Sequence, residues 1–169
     1  MNQNDFVLVI NPFRDKIFRL AKRLLVSTEE AEDAVQEVIV KLWNRKKTLD
    51  EYKSIEAFAM TLTKNYCLDQ LKSKRAGNLN GTNTNHKEKS SSLDEKIENE
   101  DSLRWIKKII NQLPEQQRMV IQLRDIEQYE FAEIAKIVEM NESAIRTTLS
   151  RARKMIREKM QQTHNYGIK

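Results

Sequence analysis

The sequence predicts an all-α protein made of two small helical domains joined by a polar, flexible linker. Only three glycines and two prolines occur in 169 residues, which favours long helices over the many turns of a β protein. Apolar residues recur at helical spacing on both sides of residues 76–92. This segment is rich in Asn, Gly, Thr, Ser and Lys and offers almost nothing to bury. The domains are therefore expected at residues 1–75 and 93–169.

Two helices are predicted before residue 50. The apolar positions of residues 6–25 follow a helical period, and an interruption or kink is expected at Pro12, which lacks a backbone N–H. Ser27 or Thr28 can accept hydrogen bonds from the first turn of the second helix. That helix is expected to end after the basic run at residues 45–47, whose charge suits the free carbonyls of a last turn.

A third helix is predicted from Ile55 to Arg75. It contains the single cysteine, Cys67, which we expect in the core because no His or second Cys has an evident place beside it. His86 and His164 have no Cys or carboxylate at ligand spacing, so no metal, cofactor or catalytic site is expected. With no signal peptide and no long apolar run in the sequence, we expect a cytoplasmic protein.

The C-terminal domain is predicted to contain about four helices, of which the last two form a helix-turn-helix. Periodicity in residues 93–110 includes Trp105, which we expect in the core rather than as a platform for base stacking. Two short apolar stripes follow at residues 131–138 and 144–156. Asn141 suits the N-cap of the last helix, because its side-chain oxygen can accept from free backbone N–H groups.

The outward side of the last helix carries cations and hydroxyls. Such groups suit phosphate oxygens and the acceptors on base edges in a major groove. Charge runs are usually the solvated face of a core helix, but the pairing of two short helices with cations on the second favours DNA binding here. A net charge of +5 also favours a polyanionic partner. The outward residues are Arg146, Thr147, Ser150, Arg151, Arg153, Lys154 and Arg157.

Three motifs carry a resemblance to a known family. AEDAVQEVIVKLW at residues 31–43 resembles the polymerase-binding helix of sigma region 2, and KNYCLDQLKSKR at residues 64–75 resembles its promoter-melting helix. Residues 113–156 resemble region 4, with its LPE opening and SRAR run. The chain is thus similar to bacterial RNA polymerase sigma factors of the extracytoplasmic-function (ECF) group, which keep only these two regions. The resemblance implies a factor that binds core RNA polymerase and directs initiation at promoters through −10 and −35 elements.

The resemblance also implies partners. Region 2 docks on a coiled coil of the polymerase β′ subunit, region 4 docks on the β flap, and both engage promoter DNA; an anti-sigma factor is a further candidate partner. The expected polymerase-binding residues are Asp33, Gln36 and Glu37, which share one helix face. Acidic side chains in a first turn also complement the helix dipole, the explanation we prefer for Glu29 and Glu30.

Promoter contacts are implied in both domains. Asn65 and Asp69 lie one helical turn apart and can present polar groups to an unstacked base, while nearby lysines hold the phosphates of the strand. Phe58 stands where many members have Trp, so the packing beneath the loop that captures a base is expected to differ. The −10 residues are Lys53, Ser54, Lys64, Asn65, Asp69 and Lys72, with Lys74 and Arg75 as further phosphate contacts. The −35 residues are Arg146, Thr147, Ser150, Arg151 and Lys154.

Two other classes of protein remain compatible with the sequence. A conventional regulator would use the helix-turn-helix as a dimer on a palindromic site, and would have no use for the Asp33 face. An antagonist that occupies polymerase without reading DNA would have no use for the cations of the last helix. An enzyme is not expected, since neither a phosphate-cradling glycine loop nor a nucleophile elbow occurs in the sequence.

Overall fold

The structure is a computed structural model that describes residues 1–79 and 101–165. Seven α-helices and no strand occur in this part of the chain, which confirms the predicted all-α class. A 3-10 turn (Leu49–Glu51) lies between α2 and α3, and a π-helical turn (Gln122–Ile126) continues α5. The helices are α1 (Gln3–Leu25), α2 (Thr28–Asn44), α3 (Ile55–Leu79), α4 (Asp101–Gln112), α5 (Glu115–Ile121), α6 (Phe131–Val138) and α7 (Glu142–Asn165).

The predicted linker falls largely outside the described residues. Its positions 80–92 are not described, and neither are positions 93–100 of the predicted C-terminal domain. At the other end of the linker, α3 continues to Leu79, past the boundary expected at Arg75. The single Gly77 does not stop this helix, since one interior glycine costs only about 1 kcal/mol relative to alanine.

The N-terminal half is a bundle of α1, α2 and α3, each of which packs against the other two. Its core includes Ile17 and Leu20 of α1, Leu42 of α2 and Met60 of α3, all fully buried. Leu49 in the 3-10 turn is also fully buried, so this turn belongs to the core although the helical period of the sequence breaks there.

Pro12 lies inside α1, which is continuous from Gln3 to Leu25. Of the interruption or kink expected at this residue, the interruption is therefore absent. Proline removes one intrahelical hydrogen bond to the residue four positions before it. Here that residue is Leu8, and both Leu8 and Pro12 lie on the exposed side of the helix, where water can reach the freed carbonyl.

Side-chain caps define the helix boundaries of the N-terminal half. Asn2 Oδ1 accepts from the backbone N–H of Asp5 at 2.9 Å, and Ser27 Oγ accepts from that of Glu30 at 3.3 Å. Each cap satisfies one of the free N–H groups of a first turn. Ser27 is thus the cap of α2, while Arg45, which was expected in its last turn, is the residue that follows the helix.

The rings of Trp43 and Phe6 meet edge to face, with their centroids 5.1 Å apart. The ammonium of Lys46 lies 3.5 Å from the centroid of the Trp43 ring. This cluster joins the C-terminal end of α2 to the first turns of α1.

Cys67 is fully buried between the helices of the N-terminal half. Burial, with a smaller contribution from the charge of Glu30, raises the pKa of the Cys67 thiol to about 12. The thiol therefore stays protonated at neutral pH, as expected of a small core residue rather than of a nucleophile.

The C-terminal half is built around α7, which packs against α4, α5 and α6. The predicted helix-turn-helix is present as α6 and α7, and the Oδ1 of Asn141 accepts from the backbone N–H of Ala144 at 2.7 Å. The turn before it passes through Glu139, whose φ of 58° places it in the left-handed region. Trp105 was expected in the core but is 37 % exposed on α4, next to the likewise exposed Leu103. Among the described helices α4 contacts mainly α7, and the residues it buries are Ile109 and Ile110.

The two halves also pack against each other. Helix α1 contacts α5 and the π-helical turn, and α3 contacts α6. No described helix combines the length and the apolar character needed to cross a membrane.

Candidate polymerase-binding and nucleic-acid-binding surfaces

The outer face of α2 carries the residues predicted to bind polymerase. The opposite face of the helix is held in the core by Val38 and Leu42, which fixes the side that remains free for a partner. Asp33, Gln36 and Glu37 are all exposed on it. Val40, one turn further along, is 52 % exposed and adds an apolar side chain to this acidic face, which the sequence analysis missed. A surface that combines acid with an exposed aliphatic group suits a basic protein partner.

Glu30 has a contact that the helix dipole alone does not explain. Its carboxylate forms an ion pair with Lys74 near the end of α3. This pair ties α2 to α3 and engages one of the cations expected to hold promoter phosphates.

The −10 residues predicted on α3 do not share one environment. Asn65, Asp69 and Lys72 are exposed. Lys64, in contrast, is only 4 % exposed. Three of the four side chains are therefore exposed to solvent, whereas the side chain of Lys64 is buried.

The loop before α3 is organised by two interactions. Ser54 Oγ accepts from the backbone N–H of Ala57 at 3.1 Å and so caps α3, a structural role that adds to its predicted one. The rings of Tyr52 and Phe58 stack with their centroids 4.0 Å apart. Phe58 therefore packs against an aromatic partner from the loop itself, beside the exposed Lys53.

The −35 residues predicted on α7 are all exposed: Arg146, Thr147, Ser150, Arg151 and Lys154. They project from a helix whose other side is buried through Ile145, Leu149 and Ala152. The apolar period of the sequence therefore predicted correctly which side of this helix is exposed.

Part of this surface forms a shallow groove of about 250 Å³. Its walls combine the ring of Phe131 with three guanidinium groups, a composition that suits an anionic partner with planar groups, such as nucleic acid. Arg151 and Lys154 do not line it. The lining residues are Phe131, Arg146, Leu149, Ser150, Arg153 and Arg157.

The sequence analysis missed Phe131, which lines the groove, and its neighbour Arg124. The guanidinium carbons of Arg124 and Arg146 lie 4.4 and 4.6 Å from the centroid of the Phe131 ring. Sequence spacing gave no signal for this cluster, since its three members come from the π-helical turn, α6 and α7.

Arg153 is held by an acidic partner. Its guanidinium binds both carboxylate oxygens of Asp125, with the Nε to Oδ2 distance 3.1 Å. This hydrogen bonding, more than the opposite charge, raises the pKa of Arg153. The bidentate pair joins α7 to the π-helical turn and fixes one wall of the groove. Among the described residues, no group of three His, Cys, Asp or Glu side chains is placed to hold a metal ion.

The sequence matches two family descriptions in succession. Residues 9–77 match "Sigma-70 region 2", and residues 103–156 match "Sigma-70, region 4". The first match contains the acidic face of α2 and most of helix α3. The second contains every residue of the groove except Arg157, and most of the helix-turn-helix.

Two relatives that match over nearly the whole chain are both described as ECF RNA polymerase sigma factors. The ECF RNA polymerase sigma-E factor of Escherichia coli K12 is 27 % identical, with 95 % of this chain and 88 % of that protein covered. The ECF RNA polymerase sigma factor SigW of Bacillus subtilis is 22 % identical, with 94 % and 90 % covered.

Two solved structures share the fold. The sigma factor RpoE of Bartonella quintana, crystallised with the anti-sigma factor NepR, matches with a TM-score of 0.74 at 23 % identity, covering 93 % of this chain and 97 % of that one. CnrH, in complex with the cytosolic domain of CnrY, matches with a TM-score of 0.68 at 18 % identity, covering 95 % and 90 %. Both solved structures therefore share the fold of this chain over nearly its whole length. The chain belongs to the sigma-70 family, as a sigma factor of the ECF group.

Proposed function

We propose that this protein binds core RNA polymerase and directs it to promoters by contacting the −10 and −35 elements. One observation carries this proposal. A single chain combines an exposed acidic helix face, an exposed polar stripe on α3 and a basic helix-turn-helix, in the order of sigma regions 2 and 4. A dimeric regulator or a polymerase antagonist has a use for only part of this set.

We assign polymerase binding to Asp33, Gln36 and Glu37 on α2. Their exposure beside Val40 supports docking on the β′ coiled coil. The C-terminal half is assigned to the β flap as well as to DNA. No catalytic role is assigned to any residue, because initiation chemistry belongs to the polymerase.

The domain roles follow the same division. Residues 1–75 bind polymerase and the −10 strand, and residues 93–169 read the −35 element. Within the first domain, Asn65 and Asp69 contact the unstacked base and Lys72 holds the backbone, with Lys53, Ser54 and Lys64 as further contacts. Within the second domain the contacts are Arg146, Thr147, Ser150, Arg151 and Lys154.

We further propose that the protein works in the cytoplasm, where core polymerase and promoter DNA are found. RpoE of Bartonella quintana was crystallised with an anti-sigma factor. By extension, an anti-sigma factor is a partner of this chain too, and it would control when the protein reaches polymerase.

Run-off transcription on a library of genomic fragments tests the proposal. Purified core polymerase is supplied with the full-length protein, and new transcripts with defined start sites are expected only when both are present. A regulator would shift transcription by an existing holoenzyme but give none with core alone, and an antagonist would only reduce it. Absence of any specific start with core polymerase would contradict the proposed function.

A further inference from the structure

A tyrosine on α3 lies against one edge of the acidic helix α2. Helices α2 and α3 pack side by side, and the ion pair between Glu30 and Lys74 joins the start of α2 to the region near the end of α3. Towards the end of α2, the ammonium of Lys41 lies 5.4 Å from the centroid of the Tyr66 ring. The two helices therefore run antiparallel, and Tyr66 faces the edge of α2 that carries Glu30 and Lys41.

The same edge carries two of the acids assigned to polymerase binding. From Glu30, the steps to Asp33, Glu37 and Lys41 are three, four and four residues, so these side chains follow one side of the helix. Burial, and then the charges of Glu37 and Asp33, raise the pKa of Tyr66, in agreement with carboxylates close to its phenol. Tyr66 thus borders the acidic face of α2, although it belongs to α3.

The side chain of Tyr66 is held in place but keeps a polar group available. It is half-buried, with its ring packed against the core. Among the described residues, none forms a hydrogen bond with its hydroxyl, and this oxygen is not one of the buried atoms that lack a partner. Because its pKa is raised, the phenol stays protonated at neutral pH and can donate. A fixed ring with an unused hydroxyl is typical of residues at the centre of protein interfaces.

The charges around Tyr66 favour a protein partner over DNA. Asp69, three residues further along α3, belongs to the polar stripe assigned to the −10 strand, so a DNA contact is the competing assignment. The carboxylates of Asp33 and Glu37, however, outnumber the ammonium of Lys41 beside the ring. Such surroundings repel phosphates and attract the cations of a basic protein surface.

We propose that Tyr66 extends the polymerase-binding surface from α2 onto α3 and donates a hydrogen bond to the β′ subunit. This proposal rests on the proposed function, since it adds a residue to the polymerase contact assigned to Asp33 and Glu37. Polymerase then contacts the helix that carries the −10 residues as well as the acidic helix.

Affinity for core polymerase tests the contact, measured by the anisotropy of full-length protein labelled at its N-terminus. Tyr66→Ala removes the ring and the hydroxyl, and should weaken binding about fivefold to thirtyfold, the range of an aromatic interface residue. Tyr66→Phe removes only the hydroxyl and should weaken binding about twofold to fivefold, as expected for the loss of one hydrogen bond.

Leu68→Ala is the matched control. Leu68 is also half-buried on α3, but two helical residues are rotated by about 200°, so its side chain lies on nearly the opposite side of the helix from Tyr66. This variant loses similar packing and should bind core polymerase as the wild type does. Melting followed by circular dichroism shows that each variant is folded at the temperature of the binding experiment.

The outcomes separate this inference from the proposed function. A wild type that does not bind core polymerase refutes the proposed function. If the wild type binds, an unchanged affinity in both Tyr66 variants overturns the contact. An equal loss of affinity in Leu68→Ala and Tyr66→Ala overturns it too, because the packing of α3 would then be the cause.

Photocrosslinking distinguishes polymerase from DNA as the partner. The photoreactive amino acid p-benzoyl-L-phenylalanine replaces Tyr66 in a complex of the full-length protein, core polymerase and promoter DNA from a start site mapped by run-off transcription. We expect an adduct with the β′ subunit. The same amino acid in place of Asn65, directed about 100° away around α3, should mark the promoter strand instead. An adduct with DNA in place of β′ from position 66, or no adduct with polymerase, would overturn the proposal.

Discussion

The guanidinium of Arg146 lies 4.6 Å from the ring centroid of Phe131, and an ion pair of 3.8 Å joins it to Glu142 one turn earlier on the same helix. Two neighbours thus limit the rotamers of a side chain that is otherwise long and exposed. An arginine ordered before DNA arrives loses less entropy on binding a base edge. We therefore propose that Phe131 is a positioning residue for the −35 contact assigned to Arg146.

Replacing Phe131 with Leu should weaken discrimination among −35 variants about two- to fivefold, the equivalent of about 0.5–1 kcal/mol for an exposed cation–π contact. Phe131→Tyr keeps the ring and should retain the discrimination. Binding of the full-length protein to a panel of duplexes with single-base changes measures both variants. Equal loss in the Leu and Tyr variants would show that packing, and not the ring, is responsible.

On α7, a residue that contacts a base and a residue that contacts a phosphate should differ in the effect of their replacement by alanine on DNA binding. Arg146→Ala should flatten the preference among −35 variants by about 1–3 kcal/mol, since a bidentate base contact discriminates by that amount. Lys154→Ala should weaken binding to all variants alike and make the salt dependence shallower by about one ion. The measurement is the same duplex panel at several salt concentrations. Full discrimination in Arg146→Ala would place the reading stripe elsewhere on the helix.

The acidic face of α2 should decide polymerase binding. Asp33→Lys together with Glu37→Lys is expected to reduce affinity for core polymerase at least about tenfold, because like charges would then face a basic partner. Both side chains are exposed, so the melting temperature should change little. Asp50→Lys with Glu51→Lys makes the same charge change on exposed positions outside α2 and serves as the control. Co-purification of the Asp33/Glu37 variant with core at wild-type strength would refute the assignment.

Strand separation should depend on the polar stripe of α3. Asn65→Ala or Asp69→Ala should reduce open-complex formation more than polymerase binding, since the contact proposed for these groups is with a base that has left the stack. Gln70→Ala, exposed on the same helix but turned away from that stripe, is the matched control. Permanganate reactivity of promoter thymines reports the melting. Reactivity that is unchanged in both variants would mean that the stripe is only solvated.

Cys67 should be almost inert in the folded protein. Its pKa of about 12 lies above the 9.0 of an ordinary thiol, so at pH 8 the thiolate fraction is lower by a factor on the order of 10³. Because the folded pKa is the higher one, the stability present below pH 9 is lost as the pH rises from 9 towards 12. Iodoacetamide should alkylate native protein far more slowly than protein in guanidinium, and Cys67→Ala should show a shallower loss of stability above pH 9. Equal alkylation rates in the two states would contradict the burial.

The sequence was sufficient for features that depend on local pattern. The apolar period placed α7 with Arg146 and Ser150 outward, and the cap at Asn141 gave the start of that helix. Features that depend on contacts between distant segments were not predicted. Arg19 was only one of several cations on α1, and nothing in its spacing indicated that it pairs with the buried Glu127. The exposure of Trp105 was not predicted for the same reason. A helical period shows that a stripe is apolar but not how much of it a neighbouring helix covers.

The two tryptophans of the chain fall one in each half, in unlike surroundings. Trp43 is packed edge to face on Phe6 beneath the ammonium of Lys46, and Trp105 is 37 % exposed on α4. The protein thus contains two optical reporters that differ in emission and in access to quenchers. With Trp43→Phe or Trp105→Phe, the remaining indole follows the melting of one half alone. Superimposable melting curves would mean that the halves unfold as one cooperative unit, and separate curves would give the stability of each half without any attached dye.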